Sequence, residues 1–140
     1  MEVELPDNTN PDLTSDLSIT NPFPDRPNYS EIVRDVDLSG VFSMQLFSDD
    51  VDNDSLIISA EGVDFDYQGM GATFSANNYQ RGHVEGSFNW DLECVNFRYD
   101  GTNTYKINFI TEDIDQCQEV NSDTIQLILN INLPWIGIKF

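Results

Sequence analysis

The chain has 140 residues, 25 of them acidic and six basic, for a formal charge of −19 and an isoelectric point near 4.1. That balance excludes nucleic acid as a partner, because a polyphosphate is held by Lys and Arg that replace its counterions. It disfavours an anionic membrane surface on the same ground, and no run of about 18 apolar residues is present to cross a bilayer.

At 39% hydrophobic and 11% aromatic residues, the composition supports a packed core, and the length fits one domain. A surface this acidic repels itself, and multivalent cations are the simplest means of offsetting it. Met1 to Pro6 lacks the basic stretch and apolar core of a signal peptide, so the chain reads as a mature or excised segment. Poverty in Lys and Arg with richness in Asp, Asn, Thr and Ser suits an exported protein, extracellular or on the cell surface.

Residues 1–30 hold five of the six prolines, Pro6, Pro11, Pro22, Pro24 and Pro27, and little apolar periodicity beyond Leu17-Ser18-Ile19. They read as a linker or as an edge segment laid against a domain spanning 31–133. From Glu31 onward the apolar residues recur with period two, the mark of strands with one buried face. A strand is expected around Ile32 to Val36. Phe42, Met44 and Leu46 form the next inward set, followed by Leu56, Ile58 and Ala60 and by a short strand at Ala72 to Ser75. Val84, Gly86, Phe88 and Trp90 alternate with Glu85, Ser87, Asn89 and Asp91. Tyr105, Ile107 and Phe109 face one way, and Ile125, Leu127, Leu129 and Ile131 give the longest alternation. Turn residues separate these sets: Asp52-Asn53-Asp54, Gly69 and Gly71, Asn77-Asn78, Asp100-Gly101 and Asn121-Ser122. About seven short antiparallel strands predict an all-β, immunoglobulin-like two-sheet β-sandwich, with a small barrel as the alternative. The apolar segment 134–140, with Trp135, Ile136, Ile138 and Phe140, extends the last strand, packs on the N-terminal segment or belongs to a following module.

Three segments in order resemble the cadherin-like, dystroglycan-type and related immunoglobulin-like modules of bacterial surface proteins, notably those of gliding Bacteroidetes. Phe47 to Leu56 is similar to that family's Asp-Pro-Asp-Gly-Asp-Ser-Leu loop, with Val51 in place of Pro and Asn53 in place of Gly. Gly71-Ala72-Thr73-Phe74, then Gly86 to Trp90 and Cys94, resembles its Gly-Ala-Thr-Phe and Gly-Thr-Phe-x-Trp-x-Pro-x-Cys pattern, with Leu92 where Pro is common. Tyr105 to Asp113, Cys117 and Asp123-Thr124 look like its Tyr-x-Ile-x-Phe-x-Ala-Thr-Asp, Cys, Ser-Asp-Thr sequence. The resemblance covers about residues 31–132. It implies a non-catalytic adhesive or spacer module, often stabilised by calcium, whose partners are neighbouring modules or a surface protein or glycan.

Asp50, Asp52 and Asp54 alternate across the turn between two strands, and the sandwich topology puts Glu112, Asp113 and Asp115 on a loop at the same end. Calcium takes six to eight oxygens, so these carboxylates with carbonyls and water form an adequate set, and Asp50, Asp52, Asp54 and Asp113 are the expected ligands. An EF-hand is rejected because the twelfth position counted from Asp50 is Glu61, within or at the end of a strand. A solvated acidic turn is the plain alternative.

Cys94 and Cys117 are compatible with an oxidising compartment. A disulfide between them would stabilise the domain by ~3 kcal/mol. A strand of about eight residues at roughly 3.3 Å each separates the two loops by ~25 Å, and bridged Cα atoms lie within about 7 Å. A disulfide therefore needs one loop to fold back; two thiols, or pairing to a neighbouring module, are the alternatives.

Phe65, Tyr67 and Tyr79 fall in loop or edge segments, where they form either a sugar-stacking platform or caps on the end of the sandwich. His83 is the sole histidine, which removes His-based zinc sites and most nucleophile-base-orienter arrangements. Gly69-Met70-Gly71 is a turn rather than a phosphate-cradling loop, and no enzymatic activity is expected. Three functions remain: a spacer or adhesive module, a carbohydrate-binding module, and a structural component of an export or gliding-motility machine that binds a protein partner.

Overall fold

The computed structural model describes residues 10–38, 40–92, 104–114 and 120–132. They form nine strands, β1 (Asp12–Ser15), β2 (Tyr29–Asp37), β3 (Val41–Asp49), β4 (Ser55–Gly62), β5 (Ala72–Ala76), β6 (Gln80–Arg81), β7 (His83–Asp91), β8 (Thr104–Asp113) and β9 (Ser122–Asn132), with a 3₁₀ turn at Gln68–Met70. Each expected strand is present, and β1 and β6 are additional.

The strands make two sheets, β1-β3-β7-β5 and β2-β9-β8-β4-β6. Taking β1, β3, β4, β5, β7, β8 and β9 in sequence, this is the strand order of an immunoglobulin-type sandwich. All pairs are antiparallel except β2 and β9, which run parallel from Tyr29↔Thr124 to Asp37↔Asn132. The expectation of uniformly antiparallel strands is corrected there. The two strands lie at opposite ends of the sequence, so no short hairpin constrains their direction.

Alternation buries one face of each strand. Met44 and Leu46 of β3, Leu56 and Ile58 of β4, Val84, Phe88 and Trp90 of β7, Ile107 and Phe109 of β8 and the four odd-numbered aliphatics of β9 fill the space between the sheets. Burying these groups is the main favourable term in folding. Phe88 and Phe109 meet edge to face at 5.3 Å, bridging the sheets. Gly86 lies on the inward row because a Cβ there would come within 2.9 Å of the Phe74 ring, which packs on Phe109.

Within the proline-rich segment, Leu13 of β1 is buried, and β1 pairs with β3. Its N–H, turned away from β3, donates to Asp123 Oδ2 of the other sheet at 2.9 Å. β1 begins beside the end of β3, at Asp12↔Asp49, whereas β9 ends at the opposite pole beside Asp37. The described chain therefore enters the sandwich at one pole and leaves it at the other.

Candidate metal centre

The inward row of β3 runs Met44, Leu46, Ser48 and reaches Asp50 one residue past the strand. That of β8 runs Ile107, Phe109, Thr111, Asp113, and that of β4, read backwards, runs Ile58, Leu56, Asp54. Because every second residue faces the same way, the core is layered toward this pole: hydrocarbon, then hydroxyl, then carboxylate. Asp113, Asp50 and Asp54 are 0%, 6% and 9% exposed. Each offers one carboxylate oxygen, and the three atoms lie within 4.8 Å of one another.

Beneath them, Ser48 and Thr111 share a hydroxyl hydrogen bond of 2.5 Å across the sheets. Thr111 Oγ1 gives its proton to the Ile57 carbonyl at 2.9 Å, so Ser48 is the donor between the two hydroxyls.

The loop holding Asp50 and Asp54 is fixed by its backbone. The Asp52 N–H donates to Asp50 Oδ1 at 2.8 Å, and the Asn53 N–H donates to the Asp50 carbonyl at 3.1 Å, with Asn53 in the left-handed region at φ 58°. Gly82, between β6 and β7, clamps both ends: its carbonyl accepts from the Asp50 N–H and its N–H donates to the Asp54 carbonyl, each at 3.0 Å. Gly82 has φ +76°, and a Cβ on it would sit 2.6 Å from Asn53 Oδ1. On the other side, Asp113 Oδ1 accepts from the Asn121 N–H at 2.8 Å.

Asp50 Oδ2 is buried and accepts no hydrogen bond among the described residues. A carboxylate oxygen removed from water without a donor is costly. Burial, with the negative charges of Asp52 and Asp113 nearby, accordingly raises the Asp50 pKa above the ordinary value of 3.8, against the lowering effect of its hydrogen bonds. The oxygens that converge here are of the type that hard cations take.

Asp52 does not join this group. It is exposed at the turn, where the chain reverses and strand alternation lapses, and its N–H serves Asp50 instead. Glu112 lies on the opposite face of β8 from Asp113. Asp115 and the pair Cys94 and Cys117 lie outside the described residues. Gly82, Ser48, Thr111 and Asn121 were absent from the sequence-based site, although parity with Ile107 and Phe109 marks Thr111 and Asp113 as inward.

The three aromatic candidates divide. Phe65 stacks on Trp90 at 5.8 Å with 22° between planes and meets Tyr105 at 5.1 Å, and Tyr67 meets Phe88 edge-on at 6.1 Å. Both are half-buried against the core, packed as caps on the sandwich are. Tyr79 is 71% exposed, with φ 71°.

No helix among the described residues is long and apolar enough to cross a membrane. No family model matches the chain, and no curated protein matches it. Among solved structures it is similar to a nucleoside hydrolase-related hypothetical protein from Saccharophagus degradans that is associated with carbohydrate metabolism. The identity is 13% and the TM-score 0.45, over 89% of this chain and 26% of that one, so this chain spans about a quarter of the neighbour's length.

Proposed function

We propose that this sandwich is a non-catalytic spacer or adhesive module of an exported bacterial surface protein, with calcium held at one pole by Asp50, Asp54 and Asp113. The observation that carries the metal reading is Asp50 Oδ2, a buried carboxylate oxygen without a hydrogen-bond donor among the described residues, within a set of three converging carboxylates. A divalent cation would give that oxygen a partner and would offset the mutual repulsion of the three groups. Calcium suits the site better than magnesium because its ligand number and geometry are permissive, and waters would complete the shell. The spacer reading is supported by the chain path, since entry beside Asp12 and exit beside Asn132 at opposite poles let modules follow one another in line.

Thermal unfolding with a chelator and with saturating calcium tests this. At a calcium concentration a hundredfold above Kd the stabilisation is about 2.7 kcal/mol, which for a domain of this size raises Tm by roughly 10 °C. An unchanged Tm at millimolar calcium rejects the metal reading.

A further inference from the structure

On the outer face of the first sheet, three strands align two rows of uncharged hydrogen-bonding side chains. Ser43, Asn89 and Thr73 form one row and Gln45, Ser87 and Ser75 the next, in the register of β3, β7 and β5. In a chain of charge −19, this six-residue array carries none. A shallow groove of about 360 Å³ opens beside the second row, lined by Gln45, Ser75, Ala76, Asn77, Glu85, Gly86 and Ser87.

The array is ordered by its own hydrogen bonds. Ser43 Oγ donates to Asn89 Oδ1 at 2.7 Å. Asn89 Nδ2 and Gln45 Nε2 then both donate to Ser87 Oγ, at 3.2 and 3.0 Å. With both of its acceptor positions used, Ser87 keeps its own O–H to donate outward. Gln45, Ser75, Asn77 and Glu85 line the same groove, so it combines amide, hydroxyl and carboxylate groups. Phe47 and Glu85 form the next row of the register, which sets an aromatic ring beside the polar array.

We propose that this groove binds an uncharged saccharide. β3 and β7 are paired on both edges and β5 is the outer strand, so an extended peptide would pair beside β5 rather than across this face, where a ligand meets chiefly the side chains of Gln45, Ser75, Glu85 and Ser87. Anionic ligands are repelled by the net charge, and among the lining residues a cation meets one carboxylate, Glu85. A neutral ligand rich in hydroxyls, each both donor and acceptor, complements this mixture of donors and acceptors, and Phe47 in the neighbouring row adds an apolar group to the same face. The surface is separate from the carboxylate pole and needs no metal.

The test is titration of the ¹⁵N-labelled chain with cellotetraose, xylotetraose and mannotetraose at tens of millimolar, with chelator present. Shifts concentrated at Gln45, Ser75, Asn77 and Ser87, including the Gln45 and Asn77 side-chain amides, are expected for at least one sugar. Gln45→Ala and Ser87→Ala, both on the outer face, should weaken that binding about fivefold or more while leaving the unfolding midpoint within a degree or so of the parent. Absence of shifts with all three sugars, shifts confined to other regions, or undiminished binding in both variants overturns the proposal.

Discussion

Ser48 and Thr111 donate and accept a 2.5 Å hydroxyl hydrogen bond between the two sheets, directly beneath three carboxylates. It is the layer at which the interior changes from hydrocarbon to charge, and its energetics are asymmetric. Ser48→Ala leaves Thr111 bonded to the Ile57 carbonyl and should cost about 1 kcal/mol. Thr111→Val deprives both Ser48 and that carbonyl and should cost about 2 kcal/mol or more. Chemical denaturation of both single variants and the double variant should give a coupling of roughly 1 kcal/mol; strictly additive losses contradict the shared bond.

Gly82→Ala tests the clamp on the acidic loop. A left-handed φ of +76° and a Cβ 2.6 Å from Asn53 Oδ1 should destabilise the domain by about 1–2 kcal/mol and reduce the calcium-dependent rise in Tm, because both backbone bonds that hold Asp50 and Asp54 end on this residue. A variant with parental stability and an intact calcium response would show that the loop holds itself.

Asn78 replaces a strand. Its side-chain oxygen accepts from the Ile58 N–H at 2.8 Å and its amide donates to the Ile58 carbonyl at 3.3 Å, closing the edge of β4 where β6, only two residues long, no longer reaches. Asn78→Ala should cost about 1–2 kcal/mol and, by opening a sheet edge, increase self-association on concentration. Equilibrium unfolding and sedimentation measure the two effects; neither changing would deny the amide this role.

Acidity should stabilise the metal-free domain. Asp50 is held above 3.8, chiefly by burial, so the native state keeps a proton that the unfolded chain has released. The group subtracts stability above its raised pKa, and that penalty is relieved as pH falls through it toward 3.8. Asp123 acts with the same sign, also mainly through burial. His83, raised by its hydrogen bond to Asp49, contributes stability that is full below 6.5 and lost as pH rises through its shifted value, but its exposure makes that contribution small. Denaturant midpoints measured with chelator should therefore rise on mild acidification, and Asp50→Asn should flatten the slope. With calcium the trend reverses, since the metal needs ionised carboxylates. A slope unchanged by Asp50→Asn contradicts this assignment.

The architecture was legible because alternation is a local signal: Val84 to Trp90 and Ile125 to Ile131 declare their buried faces residue by residue. β1 was hidden because four residues carry one buried apolar side chain, Leu13, and their pairing lies with β3, 31 to 37 positions away. Two of the three clustered carboxylates sit just outside a strand yet keep its parity, whereas Asp52 sits at the reversal and loses it, a distinction that spacing alone does not make. Asn77 and Asn78 read as a turn; they instead carry the chain between sheets, Asn77 on Glu85 and Asn78 on Ile58. Gly82 gave no sign, because what it holds lies in another loop.

Isothermal titration of calcium into the chelator-stripped chain, alongside Asp50→Ala, tests the central claim most directly. One site per chain, lost in the variant while its fold persists, is the expected result; no binding heat in the parent, or an identical isotherm in Asp50→Ala, would contradict a calcium centre built on Asp50, Asp54 and Asp113.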